Sequence, residues 1–156
     1  QDWIALEEVA ASALHRSGVE AEHITLQVAE GLPLVRGDGA LLEQLVVNLL
    51  TNAARHAPGS PVAVALRPMD PGVRLEVSDR GPGIPDPLKQ RVFDKFFRLP
   101  GRATDGGVGL GLAICEAIVR LHGGALWVED APGGGATFCV SLPAPPVPAL
   151  PEEELP

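Results

Sequence analysis

Two carboxamides four residues apart, Asn48 and Asn52, interrupt a strongly apolar run and are followed one turn later by Arg55 and His56. At about 100° per residue, these four side chains share an arc of roughly 100° on one helix face. Leu42, Leu45, Val46, Leu49, Leu50 and Ala53 fill the neighbouring arc. The polar set therefore belongs at the rim of a core-facing helix, where a cleft would open. Neutral amide oxygens suit a hard cation such as Mg²⁺, which prefers oxygen and keeps several waters beside a polyphosphate.

Asp79, Gly81 and Gly83 form a second candidate group. A carboxylate at a strand end, followed by glycines that let a ligand approach the backbone, suits an exocyclic amine such as adenine N6. Taken alone, the same pattern reads equally as a turn. Gly106-Gly107-Val108-Gly109-Leu110-Gly111-Leu112 precedes a helix, so its free N–H groups and the positive helix end suit an anion. Close helix packing is the alternative. A dinucleotide-binding fingerprint does not fit, because the spacing is GxGxG and no strand leads directly into it. No Gly-Lys-Ser/Thr follows, which excludes a Walker-type loop.

Three of the chain's four phenylalanines lie in Val92-Phe93-Asp94-Lys95-Phe96-Phe97-Arg98. The aromatics could anchor a lid on the core while Lys95 or Arg98 reaches phosphate, or they could form a satellite apolar cluster. Arg102 is a weaker candidate.

Positioning these groups requires alternating helices and strands. Apolar spacing predicts a helix over residues 3–17, a strand near 24–29 and an edge segment over 32–35. A long helix opens at Gly37-Asp38, with Asp38 as N-cap, and closes at Pro58-Gly59. Residues 62–66 and 73–77 read as a hairpin joined by Met69-Asp70-Pro71-Gly72. An irregular stretch over 81–108, holding one short helix near 87–97, has the length of a functional lid. A helix from Gly109 to about His122 and strands over 125–128 and 136–142 complete the pattern. The sum is an α/β fold, a mixed sheet covered by helices.

The chain has 156 residues, 46% hydrophobic and 4% aromatic, enough for one domain with a sizeable core. Its net charge of −8 argues against nucleic acid as a partner. No apolar run is long enough for a membrane span, and no signal peptide is read at the start. Cys115 and Cys139 lack CxxC spacing and read as buried reduced thiols. The domain is expected over residues 1–143, with 144–156, rich in Pro and Glu, as a disordered tail.

The asparagine helix, DxGxG, the Phe-rich lid, GxGLGL and a final GxGxxF (Gly133 to Phe138) occur in this order. The series resembles the catalytic ATP-binding domain of sensor histidine kinases, within the ATPase fold shared with gyrase, Hsp90 and MutL. Finer features, including Asp2-Trp3, Leu6-Glu7-Glu8-Val9 and Pro132-Gly133-Gly134-Gly135-Ala136, are similar to the potassium- and turgor-responsive branch of these kinases.

The resemblance implies a two-layer sandwich of a mixed sheet on three helices with a long ATP lid. It implies Mg²⁺ on Asn52, supported by Asn48 directly or through water. Arg55 would bind phosphate, and His56 would pack near the adenine and ribose. Asp79 would accept from adenine N6, Gly81 and Gly83 would shape the base pocket, and Arg98, with Lys95 nearby, would grip phosphate. Gly107, Gly109, Leu110 and Gly111 would line the triphosphate, and Thr137 would lie near the base.

Hydrolases of this fold place Glu four residues before the metal-binding Asn, where Asn48 stands here. An amide cannot take a proton near neutral pH, whereas a neutral imidazole acceptor already offers a lone pair. The expected reaction is phosphoryl transfer to histidine, with an ATP-hydrolysing domain or a non-catalytic nucleotide module as alternatives. The implied partners are dimerisation and phosphoacceptor helices and, indirectly, a response regulator. None of His15, His23, His56 and His122 sits in a phosphoacceptor segment. The chain therefore reads as a fragment without direct membrane contact, the cytoplasmic portion of a membrane-attached kinase.

Overall fold

The computed structural model describes residues 2–99 and 110–145. The element order is β1 (Asp2–Ile4), α1 (Leu6–Arg16), β2 (Ile24–Val28), β3 (Val35–Gly37), α2 (Gly39–His56), β4 (Val62–Met69) and β5 (Gly72–Ser78). Then follow α3 (Gly111–Leu121), β6 (Ala125–Asp130) and β7 (Ala136–Leu142). Five strands form one mixed sheet in the order β2-β4-β5-β7-β6, and β1 and β3 pair separately. Only β2–β4 is parallel, and α2 lies on the connection between them, as a parallel crossover requires.

Strand alternation puts one apolar row after another on a single face. In register, Leu26, Val64, Val77, Phe138 and Val128 cross the whole sheet, followed by Leu66, Leu75, Val140 and Leu126. That face packs with Leu42, Leu45, Val46, Leu49, Leu50 and Ala53 of α2, Ala10 and Ala13 of α1, and Ile118 and Val119 of α3 in one core. The two layers are thus sheet and helices, as the sequence pattern implied.

Asp38 does cap α2: its Oδ1 accepts from Leu41 N at 3.1 Å, a contact that stabilises a helix by about 1 kcal/mol. The same residue's N–H donates to His122 Nε2 at 3.1 Å, joining the start of α2 to the end of α3.

Three expectations need correction. The helix expected from residue 3 begins at Leu6, because Asp2–Ile4 pairs antiparallel with Val35–Gly37. The lid's single helix over 87–97 is instead two 3-10 turns, Asp86–Leu88 and Arg91–Phe93. Extended backbone at Asp94 (ψ 143°) and a positive φ of 66° at Phe96 end helical winding there. The second long helix begins at Gly111, and the stretch from 100 to 109 lies outside the described residues. Ala144 is buried, so packing continues one residue past the expected boundary. Of the tail, residues 146–156 also lie outside the described part.

Candidate functional site

The end of β5, the start of β7 and the last turn of α2 converge on Asp79. Its carboxylate is 2% exposed. Oδ1 accepts from Gly81 N at 2.9 Å and from Ala136 N at 3.1 Å, while Asp79 N donates to Ala136 O at 2.9 Å. The carboxylate is therefore fixed by backbone on two sides. Oδ2 is equally buried and finds no hydrogen-bond partner among the described residues. His56 Nδ1 stands 3.8 Å away, an ion-pair distance but too long for a hydrogen bond. Burial raises the carboxyl pKa, but the His56 imidazole and the two backbone N–H groups outweigh it and hold the group below its ordinary 3.8. Asp79 is therefore an ionised acceptor at neutral pH.

Glycines let the backbone close around it. A side chain at Gly81 would bring Cβ to 2.6 Å from His56 O, so the loop could not lie against α2. At Gly135, with φ +102°, Cβ would meet Asp79 O at 2.1 Å. Gly83 also has a positive φ (77°) and faces Gly135.

From Asp79 the polar groups run back along α2. His56, Asn52 and Asn48 are spaced four residues apart, so they span about 12 Å of helix. Asn52 keeps its amide Nδ2 buried without a partner among the described residues. Asn48 meets the first turn of α3: its Nδ2 donates to Gly111 O at 3.4 Å, and its Oδ1 accepts from Gln44 Nε2 at 2.7 Å. Burial pushes the Cys115 thiol, one turn further along α3, up to about 12, against the opposing effect of the Asn48 amide. Cys139 is likewise pushed up, to about 11, chiefly by burial. Both cysteines are free, buried and unreactive, as their sequence context implied.

The structure thus brings His56, Asp79, Gly81 and Gly83 together around Gly135 and sets Asn48 against Gly111, with Asn52 between His56 and Asn48 on α2 and Leu110 just before Gly111. Arg55 is exposed on the last turn of α2. Lys95 and Arg98 are exposed on the lid, and no hydrogen bond or ion pair among the described residues ties either to this group. Gly107, Gly109 and Arg102 lie outside the described residues. In the lid, Phe93 is the anchor: it is buried and meets Phe138 edge-on, centroids 6.0 Å apart. Phe96 is 66% exposed and anchors nothing. Thr137 is buried near the start of β7. Its hydroxyl pairs with Ser78 Oγ at 2.8 Å, and strand alternation sets both on the sheet face opposite Val77 and Phe138. Its neighbour Ala136 makes the contact to Asp79 through backbone N–H.

Sequence reasoning did not single out Ala136 or Gln44. A backbone donor leaves no mark in side-chain type, although Gly135 and Ala136 fall within the GxGxxF motif. Gln44 was readable only as a third amide at the same four-residue spacing.

The two buried atoms without a hydrogen bond among the described residues are an acceptor, Asp79 Oδ2, and a donor, Asn52 Nδ2. Leaving a buried carboxylate oxygen unpaired costs about 1–3 kcal/mol, which an amine donor from a ligand recovers. The Asn52 amide is one of the described groups able to offer neutral oxygen to Mg²⁺.

The fold is a two-layer α/β module, a mixed sheet packed on helices. The sequence matches the family described as "Histidine kinase-, DNA gyrase B-, and HSP90-like ATPase" over residues 37–146. Sensor protein KdpD of Escherichia coli (strain K12) is 41% identical over 155 residues, 97% of this chain and 17% of that protein. Among solved structures, the mycobacterial sensor histidine kinase MprB gives a TM-score of 0.81 at 36% identity, covering 94% of this chain and 100% of that one. Full-length ShkA in complex with AMPPNP gives 0.73 at 29% identity, covering 91% of this chain and 30% of ShkA. The chain belongs to this ATPase family, and its similar proteins are named histidine kinases. Among the described residues, no helix is long and apolar enough to cross a membrane.

Proposed function

We propose that the chain binds Mg²⁺–ATP and donates the γ-phosphate to a histidine on the dimerisation and phosphoacceptor helices of a longer two-component sensor kinase. The observation that carries this reading is Asp79. One oxygen accepts from two backbone N–H groups, and the other is buried among glycines without a hydrogen bond among the described residues, with His56 Nδ1 3.8 Å away. Such an oxygen accepts from an amine and repels a carbonyl, so adenine fits and guanine does not.

Asn52 would hold Mg²⁺, with Asn48 beside it, and bound Mg²⁺ would neutralise charge on the transferring phosphoryl group. Arg55 on α2 and Lys95 and Arg98 on the lid would bind phosphate. The chain's own part in catalysis is orientation. The α2 rim lays the triphosphate against the start of α3, whose leading N–H groups have no intrahelical acceptors. Position 48 holds an amide that is already hydrogen-bonded to Gln44, and it cannot deprotonate water. Transfer to an acceptor imidazole is therefore favoured over hydrolysis.

The likeness to KdpD supports a parent kinase responsive to potassium or turgor, acting on a response regulator. The structural likeness to MprB supports the kinase class equally and carries no such stimulus. The domain proposed here ends near residue 143, with the Pro- and Glu-rich segment as an appended tail.

Isothermal titration of the chain with ATP and GTP, with and without Mg²⁺, tests the binding step. Adding acceptor helices in trans with γ-labelled ATP tests transfer. Label on the acceptor histidine is the expected result. Binding of neither nucleotide at millimolar concentration would overturn the proposal.

A further inference from the structure

Gln44 sits on α2 one turn before Asn48, and its side chain links three helices. Arg16 of α1 donates from Nη2 to Gln44 Oε1 at 2.9 Å. Gln44 Nε2 donates to Asn48 Oδ1 at 2.7 Å, and Asn48 Nδ2 donates to Gly111 O at 3.4 Å. The orientation of an amide is ordinarily ambiguous, since its oxygen and nitrogen differ little in shape. Here both ends of the chain remove the ambiguity. A guanidinium only donates, and a backbone carbonyl only accepts. Reversing either amide between them would set N–H against N–H or oxygen against oxygen.

We propose that Gln44 is a positioning residue that fixes the donor–acceptor sense of Asn48. Asn48 then meets the start of α3 as an N–H donor and leaves direct Mg²⁺ ligation to Asn52. The inference deepens the nucleotide-binding reading and rests on it. It reassigns Asn48 from metal ligand to clamp between α2 and the first residue of α3. It also makes the position of α1, through Arg16 and its ion pair to Glu43, a determinant of the phosphate end of the cleft.

Replacing Gln44 by Glu tests polarity at nearly constant shape. The carboxylate still accepts from Arg16 but turns an oxygen toward Asn48 Oδ1, so the Asn48 amide must reverse and present oxygen to Gly111 O. Gln44→Met removes the bond without reversing it. Expected Mg²⁺–ATP affinity falls about tenfold for Gln44→Glu and a few-fold for Gln44→Met, the size of one or two lost hydrogen bonds. The Mg²⁺ concentration at half-saturation stays unchanged in both, because the metal ligand is untouched. Asn48→Asp separates the two roles. A metal ligand would keep or tighten its Mg²⁺ dependence on becoming Asp, whereas a donor to Gly111 O loses ATP affinity about tenfold.

All titrations are run well below the melting temperature of each apo variant, so a residue that merely supports folding would shift the melt and leave affinity alone. Where Gln44→Glu fails to fold, Gln44→Met and the Asn48 side-chain NH₂ resonances of the parent carry the test. Wild-type affinity in Gln44→Met, or Mg²⁺ binding tightened by Asn48→Asp, overturns the proposal. A parent chain that binds no adenine nucleotide overturns the functional reading itself, a result distinguishable from either.

Discussion

Replacing Asp79 by Asn keeps the shape of the buried side chain and changes one atom's chemistry. Gly81 N and Ala136 N both point at Oδ1, so the amide oxygen must take that position and the NH₂ falls where Oδ2 was. A lone pair facing the pocket becomes a donor. A charge-assisted hydrogen bond to the adenine amine, about 1.5–3 kcal/mol, is lost, and two donors now oppose each other. ATP affinity should fall by about 10- to 150-fold. The apo fold should change little, because both backbone N–H groups keep an acceptor and the buried charge disappears. The new NH₂ suits a carbonyl at the same place, so the ratio of GTP to ATP affinity should rise. Calorimetry with both nucleotides reads both effects from one protein preparation. ATP binding within threefold of the parent, in a variant with an unchanged melt, would refute the assignment of Oδ2 as the base-recognition atom.

The same carboxylate makes stability pH-dependent. Its folded pKa is depressed, so its contribution is present above the unfolded value and lost as pH falls through the folded one. The stability gap between parent and Asp79→Asn, from urea unfolding, should be constant near neutrality and vary only below about pH 4. Gly135→Ala should lower stability by more than about 2 kcal/mol, because a Cβ 2.1 Å from Asp79 O forces the β5 and β7 ends apart. A melting temperature unchanged from the parent would contradict the close approach. Asn52→Ala should abolish the Mg²⁺ dependence of ATP binding while leaving weak metal-free binding intact; titration at fixed ATP with varied Mg²⁺ checks it.

Where local pattern decides the outcome, the sequence was sufficient. Helix α2 carries its own cap at Asp38, its apolar face and its polar rim within one stretch, and all three stand in the structure. The β4–β5 hairpin is equally local, with Met69 paired to Gly72 across its turn. Long-range partners were harder to read. Asp2–Ile4 forms a strand only because Val35–Gly37 pairs with it, and a helix follows so closely that the apolar period ran through both. The lid's phenylalanines implied anchoring, yet only Phe93 reaches Phe138, and the positive φ at Phe96 turns that ring outward. Asp79 could be named from its motif, but not the reason it works: its main donor outside the local loop comes from Ala136, 57 positions on.

The two ends of the cleft are held by different kinds of contact. Around Asp79 Oδ1 the partners are the backbone N–H groups of Gly81, in the loop after β5, and Ala136, in β7, which lose no side-chain freedom when a ligand arrives. Around Asn48 the partners are the side-chain amide of Gln44 and a long bond to Gly111 O, and the donor sense of both amides is set by the Arg16 guanidinium at one end and that carbonyl at the other. Rigidity at the base end therefore supplies selectivity for the nucleotide, since a mismatched edge finds no adaptable partner. On the proposed reading, the bonds running from Arg16 through Gln44 and Asn48 to Gly111 would tie α1, α2 and α3 together at the phosphate end.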